Sequence, residues 1–179
     1  MTDPTLLHDR GELEALFEEL GSELHSRGLH AEVVMVGGSW MLWHGDRAAT
    51  RDVDSAKRLD ANIRDAVRTI GERHDIDERW LNDHAAMFWP NGASLEAAPV
   101  VLDRPGLTVR APEPDVVFVM KLYRSEPQDR EDMIDLWPRC SFFSPALAAA
   151  AFADAYPQAP EDPQLGDFIA EIARDASTR

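Results

Sequence analysis

The 179 residues and 44% hydrophobic content suit one hydrophobic core with a small helical extension. A formal net charge of −15, with only 18 lysines and arginines, speaks against a general DNA or RNA binder, because phosphate binding normally needs a basic footprint. No apolar run reaches the length of a membrane span, and the single cysteine, Cys140, excludes an intrachain disulfide and a cysteine-built zinc site.

The first residues lack the basic-then-apolar pattern of a signal peptide, so a cytoplasmic location is expected. Asp9-Arg10-Gly11-Glu12 reads as a capping box. Leu13, Leu16, Phe17, Leu20 and Leu24 then predict the apolar face of a helix ending near Gly28. Residues 31–36 form a mostly apolar run stopped by Gly37-Gly38, which predicts a buried strand and a tight turn. Ser39 is the expected N-cap of a short helix over 40–44, and a second strand is expected over 51–56. Asp60 can cap a helix over 61–73, with Ile63, Ala66, Val67 and Ile70 inward. Residues 80–88 fit a brief helix or an irregular loop, and strands are expected over 94–102 and 107–109.

Pro112 and Pro114 introduce an apolar helix through Val116, Val117, Val119, Met120 and Leu122, followed by a helix over about 128–137. Two tail helices are expected to start at Ser144-Pro145 and Asp162-Pro163. The resulting fold class is α/β (α+β), a short mixed sheet flanked by helices. The expected division is residues 1–140 as the main domain and 141–179 as a helical extension packed on it.

The chemistry concentrates between Val33 and Lys57. A strand delivering Gly37-Gly38-Ser39 into a helix start offers backbone N–H groups to a phosphate, and glycine permits close approach. Asp52 and Asp54, two apart on a strand, share a face. Paired carboxylates opposite phosphate oxygens suit Mg2+, which shares oxygen ligands with a nucleotide. Alone, a Gly-Gly turn or an Asp-x-Asp pair is ordinary; their order along the chain is specific. Arg47 and Arg51 are read as contacts for nucleotide or RNA phosphate, whereas Lys57, Arg58, Arg64 and Arg68 are assigned to surface ion pairs. The six histidines show no zinc spacing, and Cys140 reads as an unreactive packed thiol. The five tryptophans read as core or pocket walls, with Trp40 and Trp43 beside the glycine turn placed to wall the pocket.

Gly37-Gly38-Ser39 followed by Asp52-Val53-Asp54 resembles the signature of the polymerase-β-like nucleotidyltransferases. The longer form, with Arg47-x-x-Thr50-Arg51 before the aspartates, looks most like the small AbiEii-type proteins, several of which are toxins of toxin–antitoxin pairs. Met120-Lys121-Leu122 with Asp129-x-x-Asp132, and Trp80-Leu81-Asn82-Asp83, are similar to segments of the same group. The likeness spans about residues 33–136. It implies transfer of a nucleoside monophosphate from a nucleoside triphosphate to a hydroxyl of RNA, protein or a small molecule, with an antitoxin as a possible protein partner. It further implies that Lys121 reaches the nucleotide phosphates and that Asp129 and Asp132 shape the pocket. The bland reading of these three is a snorkelling lysine, and helix capping plus surface charge for the aspartates. Active members supply a third carboxylate, for which Glu96, Asp103 and Asp83 are the candidates. Without one, a degenerate member would bind a nucleotide or partner protein without turnover. An antibiotic-adenylylating enzyme is a third reading, since the acidic surface suits a cationic drug.

Overall fold

The computed structural model describes residues 6–179. Asp9 opens helix α1, Arg10–Ser26, by accepting the Glu12 N–H at 2.9 Å. Glu12 reaches back to the His8 N–H at 2.7 Å, one residue earlier than a capping box requires. The predicted apolar face of α1 is buried throughout. Strand β1, Ala31–Val36, follows as expected.

Helix α2 spans Gly37–Trp43 and so begins earlier than predicted. Ser39 lies inside it, and its hydroxyl donates to the Val36 carbonyl at 2.9 Å rather than capping the helix. Strand β2 is only Val53–Ser55, shorter than expected. Helix α3, Ala61–His74, is capped by Asp60, which accepts the Asn62 and Ile63 N–H groups. Strand β3, Leu81–Asn82, and a 3-10 turn over His84–Phe88 occupy the segment whose pattern was ambiguous. Strands β4, Val100–Arg104, and β5, Leu107–Arg110, form a hairpin; β4 starts late because the preceding residues turn, with the Ala98 N–H bonded to the Leu95 carbonyl.

The sheet order is β3-β2-β1-β5-β4. Central strand β1 runs antiparallel to β2 and parallel to β5, and β2 runs parallel to β3. This is the mixed α/β architecture expected from the sequence. Helix α1 packs against β4, β5 and α3. Phe17, fully buried, sits with its ring 6.3 Å from that of Trp43 and 6.2 Å from that of Trp80. Trp80 satisfies its indole N–H on the Val67 carbonyl at 3.0 Å.

The described residues divide into two compact units. One runs through Met87 and adds Leu95–Pro112, holding the whole sheet; the other is Phe88–Ser94 with Glu113–Arg179. The division therefore falls ahead of the boundary expected after residue 140. Its cause is packing within the second unit, where helices α4 (Pro114–Arg124) and α5 (Asp129–Leu136) join α6 (Pro145–Ala155) and α7 (Leu165–Ala176). Ser144 caps α6 as predicted. Helix α7 begins beyond Asp162-Pro163, because Asp162 spends its carboxylate on the Gln164 N–H in a turn before the helix. Among the described residues, no helix is long and apolar enough to cross a membrane.

Phe17→Ala removes the ring at the centre of the first unit and leaves a cavity between two tryptophans. It should cost about 3–5 kcal/mol of unfolding free energy in urea titration followed by tryptophan fluorescence.

Candidate functional site

The β1–β2 register sets Val36 opposite Asp54, so the residue after β1 and the middle of β2 meet. Gly37 has a φ of +66°, and a Cβ added there would stand 2.9 Å from Asp54 Oδ2. The Asp54 carboxylate thus lies directly on the glycine turn. A Cβ at Gly38 would collide with the Arg47 guanidinium and lie 2.8 Å from Thr50 Oγ1. Gly37 suits its left-handed backbone and leaves room for Asp54, and Gly38 leaves room for Arg47 and Thr50. Val36, at the N-cap position of α2, supplies no side-chain cap.

Val53 and Ser55 are fully buried and Asp54 between them is half-buried, as the two-residue period of a strand requires, and Asp52 is half-buried as well. Asp52 precedes β2 and is held at two points. Thr50 Oγ1 donates to its carbonyl at 3.1 Å, and Asn82 Nδ2 donates to Oδ2 at 3.2 Å. Burial, then the nearby charge of Asp54, pushes the Asp52 carboxyl above its ordinary range, against weaker opposition from His84 and Asn82. The charge of Asp54 beside the Asp52 carboxyl is one that a cation would offset.

That donor set fits magnesium in one specific respect. Two carboxylates can hold the ion with waters, and with substrate oxygens when substrate is present, completing its coordination. Among the described residues, no group of three histidine, cysteine, aspartate or glutamate side chains could hold a metal. The three sequence candidates for a third carboxylate are placed elsewhere. Asp83 accepts the Leu59 N–H and pairs with Arg64, both at 2.9 Å. Asp103 lies on edge strand β4, bonded to Thr108 Oγ1 at 3.0 Å, and Glu96 is exposed in the turn before β4. Glu32 shares the Asp54 face of the sheet but sits four residues before Val36 on β1, about 13 Å along the strand. Parallel register pairs Val34 with Arg110, so residue 112 falls beside Val36, and it is a proline.

The remaining sequence assignments divide by unit. Arg47 packs over Gly38, and Arg51 is exposed with no ion pair among the described residues. Lys57 pairs with Glu32, and Arg68 with Asp65 and Glu72. Glu32 also binds Arg110, forming a charge cluster across β1 and β5 that the sequence pattern did not signal. Trp40 and Trp43 are core residues, 1% and 4% exposed. The Trp40 indole N–H donates to the Pro112 carbonyl at 2.9 Å. Burial and Asp115 push the Cys140 thiol strongly up, consistent with an inert group.

Lys121, Asp129 and Asp132 belong to the second unit. Lys121 is 3% exposed, and its ammonium binds Asp129 at 3.0 Å and Asp132 at 2.6 Å. Arg124 adds two hydrogen bonds to Asp129. Burial pushes the Asp129 carboxyl up, but Arg124 and Lys121 outweigh it and hold the group below its ordinary range. These residues are neither a snorkelling lysine nor surface charge; they form a buried ionic network within α4 and α5.

A family model described as a nucleotidyltransferase of unknown function (DUF6036) matches residues 11–142. No curated protein and no solved structure matches the chain. The chain belongs to that nucleotidyltransferase family.

Lys121→Met removes the ammonium that the two buried carboxylates share, leaving Arg124 on Asp129, and should destabilise the fold by about 3–5 kcal/mol at neutral pH. The native network stabilises above the ordinary carboxylate range and is lost as pH falls through the lowered Asp129 value. The stability gap between variant and native protein, measured by denaturant titration, should therefore narrow on acidification. Gly37→Ala should cost about 1–2 kcal/mol from its left-handed backbone alone. It should also displace the Asp54 carboxylate, visible as chemical-shift changes at Val53 and Asp54.

Proposed function

We propose that the chain is a magnesium-dependent nucleotidyltransferase, moving a nucleoside monophosphate from a nucleoside triphosphate to a hydroxyl acceptor on RNA, protein or a small molecule. The observation that carries this reading is the Asp54 carboxylate lying on the Gly37 turn, with Asp52 electrostatically coupled to it. Asp52 and Asp54 would hold the metal, and the Gly37–Gly38–Ser39 backbone would face the triphosphate. Magnesium bound there would neutralise developing charge on the transferring phosphoryl group. Arg47 stands over the glycine turn and Arg51, next to Asp52 in sequence, is exposed with no ion pair among the described residues, so both are suited to phosphate oxygens. The acceptor oxygen would form a bond to the α-phosphorus as the bond to pyrophosphate breaks. A direct role for Lys121, Asp129 and Asp132 in this pocket has weaker support, because the Lys121 ammonium is already paired with both carboxylates.

A specific observation favours a second reading, a fold retained for binding without turnover. Among the described residues, no third histidine, cysteine, aspartate or glutamate joins the pair in a group that could hold a metal. A toxin–antitoxin role, with a partner protein of antitoxin type and a cytoplasmic setting, belongs to the same proposal and rests on the resemblance to AbiEii-type proteins. General DNA binding does not fit a chain of net charge −15.

Calorimetric titration with each of the four nucleoside triphosphates in magnesium tests the site. Binding should require the metal and disappear in Asp52→Asn/Asp54→Asn. Well-folded native protein that binds none of the four would defeat the enzyme reading, while binding without turnover of a labelled triphosphate would select the second one.

A further inference from the structure

We propose that Asn82 is the positioning residue of the carboxylate pair, holding Asp52 in the orientation that lets it share a divalent cation with Asp54. The inference rests on the metal-binding reading of those two aspartates. Strand β3 pairs with β2 in parallel, and its register sets Asn82 opposite Asp54, on the same face of the sheet. Asn82 is only 7% exposed, so its amide has to find partners within the protein.

Those partners fix which way the amide points. The His84 backbone N–H, 3.0 Å from Asn82 Oδ1, can only donate, so the oxygen must face it. That leaves Nδ2 turned toward Asp52 Oδ2, 3.2 Å away. A hydrogen-bond donor is what an ionised carboxylate beside a second carboxylate requires. Asp52 lies just before β2 and outside its ladder, and Thr50 holds only its backbone carbonyl. Among the described residues, Asn82 is the side chain that hydrogen-bonds the Asp52 carboxylate. It engages Oδ2 and leaves Oδ1 for a cation. Groups that orient metal-binding carboxylates in this way typically change metal affinity by about 10–100-fold when removed.

The neighbouring Asp83 provides a control for simple damage to the segment. It ties the same turn down through the Leu59 N–H and Arg64 without touching Asp52. Mn2+ alone serves as the probe, with bound and free ion separated by electron paramagnetic resonance and folding followed by thermal melting. Asn82→Ala and the smaller-cavity Asn82→Ser should each weaken Mn2+ binding about tenfold or more. Asp83→Asn should lower the melting temperature and leave Mn2+ affinity at the native value. A folded Asn82 variant with native affinity would overturn the proposal, as would Asp83→Asn weakening Mn2+ equally. If the native protein binds no Mn2+ that Asp52→Asn abolishes, the metal site itself fails. If it does and Asn82→Ala binds as well, only the role of Asn82 fails.

Discussion

The site depends on a very short piece of antiparallel pairing, Met35 with Ser55 and Val36 with Asp54. Those two register pairs bring the glycine turn and the acidic strand together, though they lie well apart along the chain. A slip of one residue would turn Asp54 into the buried layer and Val53 out of it. Burial prevents that slip, because Val53 and Ser55 are both fully enclosed. Ser55 adds a hydrogen-bonded lock. Its hydroxyl accepts the Val34 and Lys57 N–H groups and donates to the Lys57 carbonyl at 2.8 Å. A buried hydroxyl with all of these partners is costly to move to another register.

The parts of the molecule that were legible in the sequence are those governed by local rules. Asp9, Asp60 and Ser144 announce their helices because capping needs only a side chain and the next turn of backbone. The apolar run at 31–36 announces β1 for the same reason. The early start of α2 was not legible, since Val36 and Gly37 carry no capping side chain and Ser39 found a closer carbonyl. Asp162 misleads in the opposite direction by capping a turn instead of a helix. At the site, the spacing of Asp52 and Asp54 revealed their shared face, but the contact of Asn82 with Asp52 depends on a parallel strand pair that no local pattern encodes. Lys121 was ambiguous because a lone cation in an apolar helix gives no sign of whether it faces phosphate oxygens or carboxylates eight and eleven residues away, such as the two it binds here.

Charge is distributed with the same economy. In a chain with few cations, Lys57, Arg64, Arg68, Arg110 and Lys121 are committed to carboxylates, several of them in clusters rather than isolated pairs. Arg51 and Arg58 are the exposed cations near the acidic strand without such partners among the described residues. Among the described residues, no lysine or arginine forms an ion pair with Asp52, whose carboxyl is opposed only weakly by His84 and Asn82.

The brevity of β2 has a thermodynamic consequence. Three residues, laddered at two positions to each neighbour, form a segment whose opening need not wait for the whole sheet to unfold. Any ligand that bridges Asp54 and the Gly37 turn binds only the closed arrangement. Its binding free energy would then appear as protection of the β2 amides from hydrogen exchange, growing with ligand concentration by mass action. In such a segment, order of the strand and occupancy of the site are two readings of one equilibrium.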